Sequence, residues 1–268
     1  MFPRQSRTES VGRVDWLSVT YLLGVLLLCY YLLPFVSLVA SQPLGVVARR
    51  LTSPTVLSAA ATSFTASVVS TAIATGLGLP LAYWLARAEG PRKTLVTAIV
   101  VLPLVLPPIV SGMLLLTVVG PETLVGRLAA ENGIALTRST AGVVLAQTFV
   151  ASPFVVITAK AAFERVDPAL EYASQSLGKS RLTTVRRITL PIAWPGILAG
   201  ITLAFARAIG EFGATIMLAY YPRTMPVQIW ISFTTLGLDN AFPVAVVLVG
   251  IAVLTLVVLN TLGSNPFD

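Results

Sequence analysis

Six apolar runs, separated by short polar stretches, limit what this chain can fold into. They are Trp16–Ala40, a run within Val56–Ala86, Leu95–Val119, Thr140–Ala162, Pro195–Ala219 and Phe242–Leu262. A helix needs about 20 residues to cross a hydrocarbon core of about 30 Å. Of the 268 residues, 56% are hydrophobic and 11% are charged, against about 25% charged in an ordinary soluble domain. Lipid is therefore the expected solvent, and runs of this length satisfy their own backbone there as helices. The fold class expected is an all-α integral membrane protein of about six transmembrane helices. The first run exceeds the apolar core of about 7–15 residues in a signal peptide, so it is expected to stay as a span.

Basic residues set the expected orientation. With the N-terminus in the cytoplasm, twelve Lys and Arg fall inside, among them Arg4, Arg7, Arg13, Arg92 and Lys93. Five fall outside, with Arg49 and Arg50 running against the bias, and Arg207 lies within a span. Cytoplasmic loops carry the excess of positive charge, so both termini are expected on that side of the cell membrane. The net charge of +7 reads as topology. No basic helix or aromatic-interleaved basic patch points to nucleic acid. Histidine is absent and Cys29 is the only cysteine, which removes imidazole chemistry, a disulfide within the chain and a metal cluster.

The longest polar interruption runs from Lys160 to Leu190. Asp167 suits an N-cap and Pro168 the first helical position. Leu170, Ala173 and Leu177 recur at helical spacing and form one apolar stripe. Gly178 can end that helix. A second short helix through Val185 and Ile188 is expected to stop at Pro191, which breaks helices. Lys179, Arg181, Arg186 and Arg187 make the element basic. It reads either as an interfacial helix held by anionic lipid or as a docking element for a cytoplasmic partner, and spacing does not separate the two. Gly178-Lys179-Ser180 imitates the end of a phosphate-binding loop. The place of that loop's first glycine is held by Ala173, and no strand precedes it, so ATP binding is not expected here.

Leu177-Gly178, Ser180 and Ile188-x-Leu190-Pro191 resemble the cytoplasmic coupling motif of type I ABC importer permeases. Gly178 and Pro191 stand thirteen residues apart, the separation of that motif. Its Glu-Ala-Ala head falls on Tyr172-Ala173-Ser174, with Glu171 one place early. Phe205-Ala-Arg-Ala-Ile-Gly-Glu-Phe-Gly-Ala-Thr215 is similar to the fifth-span signature of molybdate, tungstate and sulfate permeases. Pro80–Arg87 and Leu102–Pro108 resemble the same subfamily. The likeness runs from about Ala59 to Leu262. It implies a permease core over 59–262, preceded by a cytoplasmic segment, first span and external loop over 1–58, and followed by a short tail over 263–268. It implies an ATPase-coupling loop containing Glu171, Ala173, Leu177, Gly178, Ser180 and Pro191. It also implies an alternating-access importer of molybdate or tungstate, with sulfate or thiosulfate as the alternative cargo. The implied partners are a cytoplasmic ABC ATPase dimer that uses ATP and Mg, an external oxyanion-binding protein, and a second permease copy. A homodimer goes with molybdate or tungstate, whereas sulfate systems pair two different permeases. No cofactor or catalysis is implied for this chain itself.

Arg207 and Glu211 stand four residues apart inside the fifth run, on one helix face, where they can pair. Ionisable residues in a span face a bundle interior or a water-filled cavity. The pair either fixes helix packing or forms part of the solute path or its gate. A transient role suits Arg207 better, because tight binding of an oxyanion would slow its release. Gly210 and Gly213 flank Glu211 and suit close approach or bending. Pro103, Pro107 and Pro108 interrupt the third run and suit a kink. A secondary transporter would need a coupling-ion site or inverted repeats, and neither is visible, so a passive channel or secondary transporter is the weaker reading.

Overall fold

Every regular element among the described residues, 16–263 of a computed structural model, is helical. The N-terminal segment with Arg4, Arg7 and Arg13, and the tail after Gly263, lie outside them. The helices are Trp16–Ala40 (α1), Leu44–Leu51 (α2), Pro54–Arg87 (α3), Pro91–Val105 (α4), Pro108–Val119 (α5), Leu124–Glu131 (α6) and Thr140–Glu164 (α7). There follow Pro168–Ser176 (α8), Arg181–Thr184 (α9), Leu190–Ile209 (α10), Gly213–Leu218 (α11), Met225–Leu236 (α12) and Leu238–Gly263 (α13). Residues up to Leu44 form one unit and those from Gly45 another. α1 makes up most of the first. It is a 25-residue apolar helix with Pro34 inside it, and its lone Cys29 is exposed.

The second unit is built around α3, α7 and α10. α3 turns Ala59, Ser63, Ala66, Ser70, Ala74, Gly78 and Ala82 inward at intervals of three and four. A stripe of small residues lets helices approach closely in lipid, where burial of apolar surface gives little drive between them. The contacts bear this out. A Cβ at Gly78 would stand 3.2 Å from the Val156 side chain, and one at Gly200 would stand 3.0 Å from Thr158 Cβ. Polar seams reinforce the packing. Ser70 Oγ lies 3.3 Å from Gln147 Oε1, and the Met225 N–H donates to Ser63 Oγ at 2.7 Å.

Among the described residues five helices are long and apolar enough to span a membrane, and a sixth span arises if the α4–α5 pair is counted as one. Two of the six expected runs depart from a simple span. The third is not one helix. It breaks between Val105 and Pro108, and the two halves bend by 117°. Pro107 and Pro108 supply no backbone N–H for the ladder, so a merely kinked span is replaced by a broken one. The fifth starts earlier and stops sooner than expected. It is continuous from Arg181 to Ile209 and ends ten residues before Ala219. Pro191 therefore does not break the helix. A π turn over Val185–Thr189 precedes it, with the Leu190 N–H bonded to the Val185 carbonyl. A proline ring conflicts with the carbonyl four residues back, and the widened turn is where that conflict is absorbed.

Candidate functional site

The basic interruption folds as a hairpin of two short helices about one glycine. Asp167 caps α8 by accepting the Ala169 N–H at 2.8 Å, and Pro168 opens the helix. The end of α8 is closed by two crossed bonds, Gly178 N–H to the Gln175 carbonyl at 2.9 Å and Lys179 N–H to the Ser174 carbonyl at 3.2 Å. That closure needs a left-handed residue after the helix, and Gly178 has φ +79. Ser180 then caps α9 through the Thr183 N–H. Ser174 and Thr184 hydroxyls meet at 2.9 Å between the two helices. Gly178 and Ser180 thus have structural work where the sequence placed them.

The buried face of α8 is not its apolar stripe. Glu171 and Ser174 are buried, whereas Leu170 is 46% exposed, Leu177 is 81% exposed and Ala173 is also exposed. The cause is Glu171. Its Oε1 accepts from Arg87 at 2.8 Å and from the Thr189 hydroxyl at 2.7 Å, and its Oε2 lies 3.2 Å from the Tyr83 hydroxyl. Arg87 also donates to the Phe163 and Val166 carbonyls. One carboxylate therefore joins the end of α3, the end of α7, α8 and the π turn. Burial pushes the Glu171 carboxyl up, but hydrogen bonds from Arg87 and Thr189, the charge of Arg87 and the Tyr83 hydroxyl outweigh it and hold its pKa below the ordinary range. With the acid turned inward, the apolar stripe is turned out. Tyr83 and Arg87 fall in the Pro80–Arg87 stretch that resembles the subfamily, but neither they nor Thr189 were expected in the coupling loop. The clue to Arg87 was its place at the very end of a span, within reach of a buried acid.

A second site lies where two broken helices meet. α10 ends at Ile209, and Gly210–Phe212 form a break before α11. Glu211 sits in that break, not on the helix, with its carboxylate buried and Oε1 accepting the Ala214 N–H at 2.7 Å. Arg207 Nη1 stands 2.5 Å from Glu211 Oε2, an ion pair set off the line of a hydrogen bond. The two glycines differ. A Cβ at Gly213 would meet Pro108 Cβ at 2.8 Å and Ile109 N at 2.9 Å, so this glycine lets the α10–α11 break touch the α4–α5 break. Gly210 has φ −89 and its nearest such contact is 3.7 Å away, so neither close approach nor a left-handed turn requires it. Arg207, Glu211, Pro107 and Gly213 help to line a cavity of about 360 Å³ beside the two breaks. Irregular backbone at membrane depth is tolerated where it is buried in protein or lines such a cavity. Among the described residues no group of acidic or Cys side chains could hold a metal.

A multi-span helical bundle with a glycine hairpin turned out at one end is the architecture of an importer permease. Residues 76–263 match the family described as binding-protein-dependent transport system inner membrane component, and the chain belongs to that family. It is 57% identical to a probable molybdenum ABC transporter permease protein of Haloferax volcanii, over 94% of this chain and 93% of that one. It is 35% identical to the molybdate/tungstate transport system permease protein WtpB of Pyrococcus abyssi, over 94% and 97%. Its fold is similar to a chain in the crystal structure of a bacterial alginate ABC transporter in complex with its pentasaccharide-bound periplasmic protein. The TM-score is 0.74, the identity 19%, and 93% and 94% of the two chains are covered.

Proposed function

We propose that the chain forms half of the membrane pathway of an ATP-driven importer for molybdate or tungstate, working as a homodimer. A separate cytoplasmic ATPase pair uses ATP and Mg, and an external binding protein delivers the anion. The observation that carries the coupling is α8, whose apolar stripe of Leu170, Ala173 and Leu177 faces outward while Glu171 is locked inside. An exposed apolar stripe on a short helix suits insertion into a groove of a partner. That partner can drive transport only by preferring one permease state over another. The hairpin is continuous through the π turn with α10, so a push on α8 is carried to the Arg207–Glu211 break. There Arg207 serves as a passing contact for the anion or part of its gate. The substrate is supported by what the relatives are named for.

The test is ATP hydrolysis in proteoliposomes that hold this chain, its ATPase and its binding protein. Molybdate and tungstate are expected to stimulate turnover several-fold, and sulfate is not. Stimulation by sulfate alone would overturn the cargo. An intact complex that no oxyanion stimulates would overturn the oxyanion reading altogether.

A further inference from the structure

The hairpin end of the bundle also holds a groove, apart from the cavity beside the two breaks. It has a volume of about 520 Å³ and lies between α3, α7 and the α9–π turn segment. Its walls are Leu79, Pro80, Phe163, Leu182, Val185 and Leu190, and Tyr83 and Arg181 complete them. The Arg181 guanidinium lies 5.8 Å from the centre of the Tyr83 ring, on which Arg87 also stacks at 5.9 Å. Two arginines thus share one ring, with one carboxylate nearby, and Arg87 takes it. Among the described residues Arg181 has no carboxylate partner, nor do Lys179, Arg186 and Arg187 in the same element. A hydrocarbon-lined groove ending on an uncompensated, exposed cation is complementary to an amphiphile with an anionic head.

We infer that this groove binds an anionic phospholipid, with one hydrocarbon chain between α3 and the π turn and the phosphate on Arg181. Three features favour a lipid over another occupant. The groove opens among transmembrane helices, where lipid is the neighbouring solvent. Basic pockets between such helices bind anionic headgroups. The surrounding basic residues add attraction that a zwitterionic headgroup does not match. Leu182 and Val185 belong to the segment that joins the hairpin to α10, so a chain lodged there would brace that joint. This inference does not depend on which anion the importer carries.

Native mass spectrometry of the purified permease–ATPase complex tests it, after delipidation and re-equilibration with equal phosphatidylglycerol and phosphatidylcholine. Phosphatidylglycerol is expected to be retained preferentially. Arg181→Ala should lower its occupancy roughly fivefold, the equivalent of about 1 kcal/mol. Arg181→Lys should keep most of it. Leu79→Trp, which fills the groove and leaves every charge in place, should also abolish retention, and Val185→Trp serves if that variant fails to assemble. Equal retention of the two lipids, or none by the complex, would overturn the site. So would an Arg181→Ala complex that binds like the parent. Full retention by an assembled groove-filling variant would reduce the effect to surface charge and overturn the groove.

Discussion

Glu171 stands one position ahead of the place where the coupling motif keeps its acid, and it nonetheless holds the junction of four segments. Removing one member of a buried ion pair leaves the other charge uncompensated, at a cost of about 3 kcal/mol or more. Glu171→Ala is therefore expected to lower the thermal midpoint of the reconstituted chain by several degrees. ATP hydrolysis by the complex should at the same time lose its dependence on cargo, as measured in parallel assays. Acid adds a second check. The folded pKa of Glu171 is depressed from 4.5, so its contribution is complete above that value and fades as pH falls through the lower folded one. The gap in thermal midpoint between the parent and Glu171→Gln should be constant from pH 7 to about pH 5 and should narrow below. A gap that widened in acid would assign the stabilisation to the neutral carboxyl. The sequence put a carboxylate in this element but not its partners, because Arg87 and Thr189 lie 84 and 18 residues away and only tertiary packing brings them together.

At the scale of the element, local rules worked wherever the bonds are local. The Asp167 cap, the Pro168 start and the Gly178 stop close within a few residues, and all three stand where spacing puts them. The direction of the stripe did not follow. Helical periodicity places Leu170, Ala173 and Leu177 on one face but leaves open whether that face or Glu171 is buried, and the ion pair decides. The start of α10 also escaped, because Pro191 reads as a breaker until the extra residue of a π turn is allowed. Gly178 offers a graded test. No heavy atom stands within 4 Å of a Cβ there, so Gly178→Ala meets only the left-handed φ and costs about 1 kcal/mol. Gly178→Pro cannot reach φ +79 at all. Uptake in vesicles should be nearly normal in the first and lost in the second, while both chains insert and the second complex hydrolyses ATP without transport. Normal uptake by Gly178→Pro would count against the hairpin as the transmitter.

For the whole molecule, apolar run length yielded the number of spans to within the one that is broken. Runs report hydrophobicity, and a 117° bend between two apolar halves leaves that quantity unchanged. The Arg207–Glu211 site was half legible for a related reason. The pair is local, but the opposing break at Pro107–Pro108 comes from elsewhere in the chain. Orientation is directly testable in a Cys29→Ser background. Asn132→Cys should react with an impermeant maleimide on intact cells, and Glu89→Cys only after permeabilisation. The opposite pattern would invert the protein. The π turn has a consequence of another kind. Each helical residue advances the azimuth by about 100°, so one inserted residue resets the phase between the hairpin and α10. The bearing of the stripe relative to the bundle is thereby encoded by a residue count, independently of which side chains occupy Val185–Thr189. A one-residue indel in this segment would re-aim the hairpin wholesale, whereas many substitutions would leave its heading untouched.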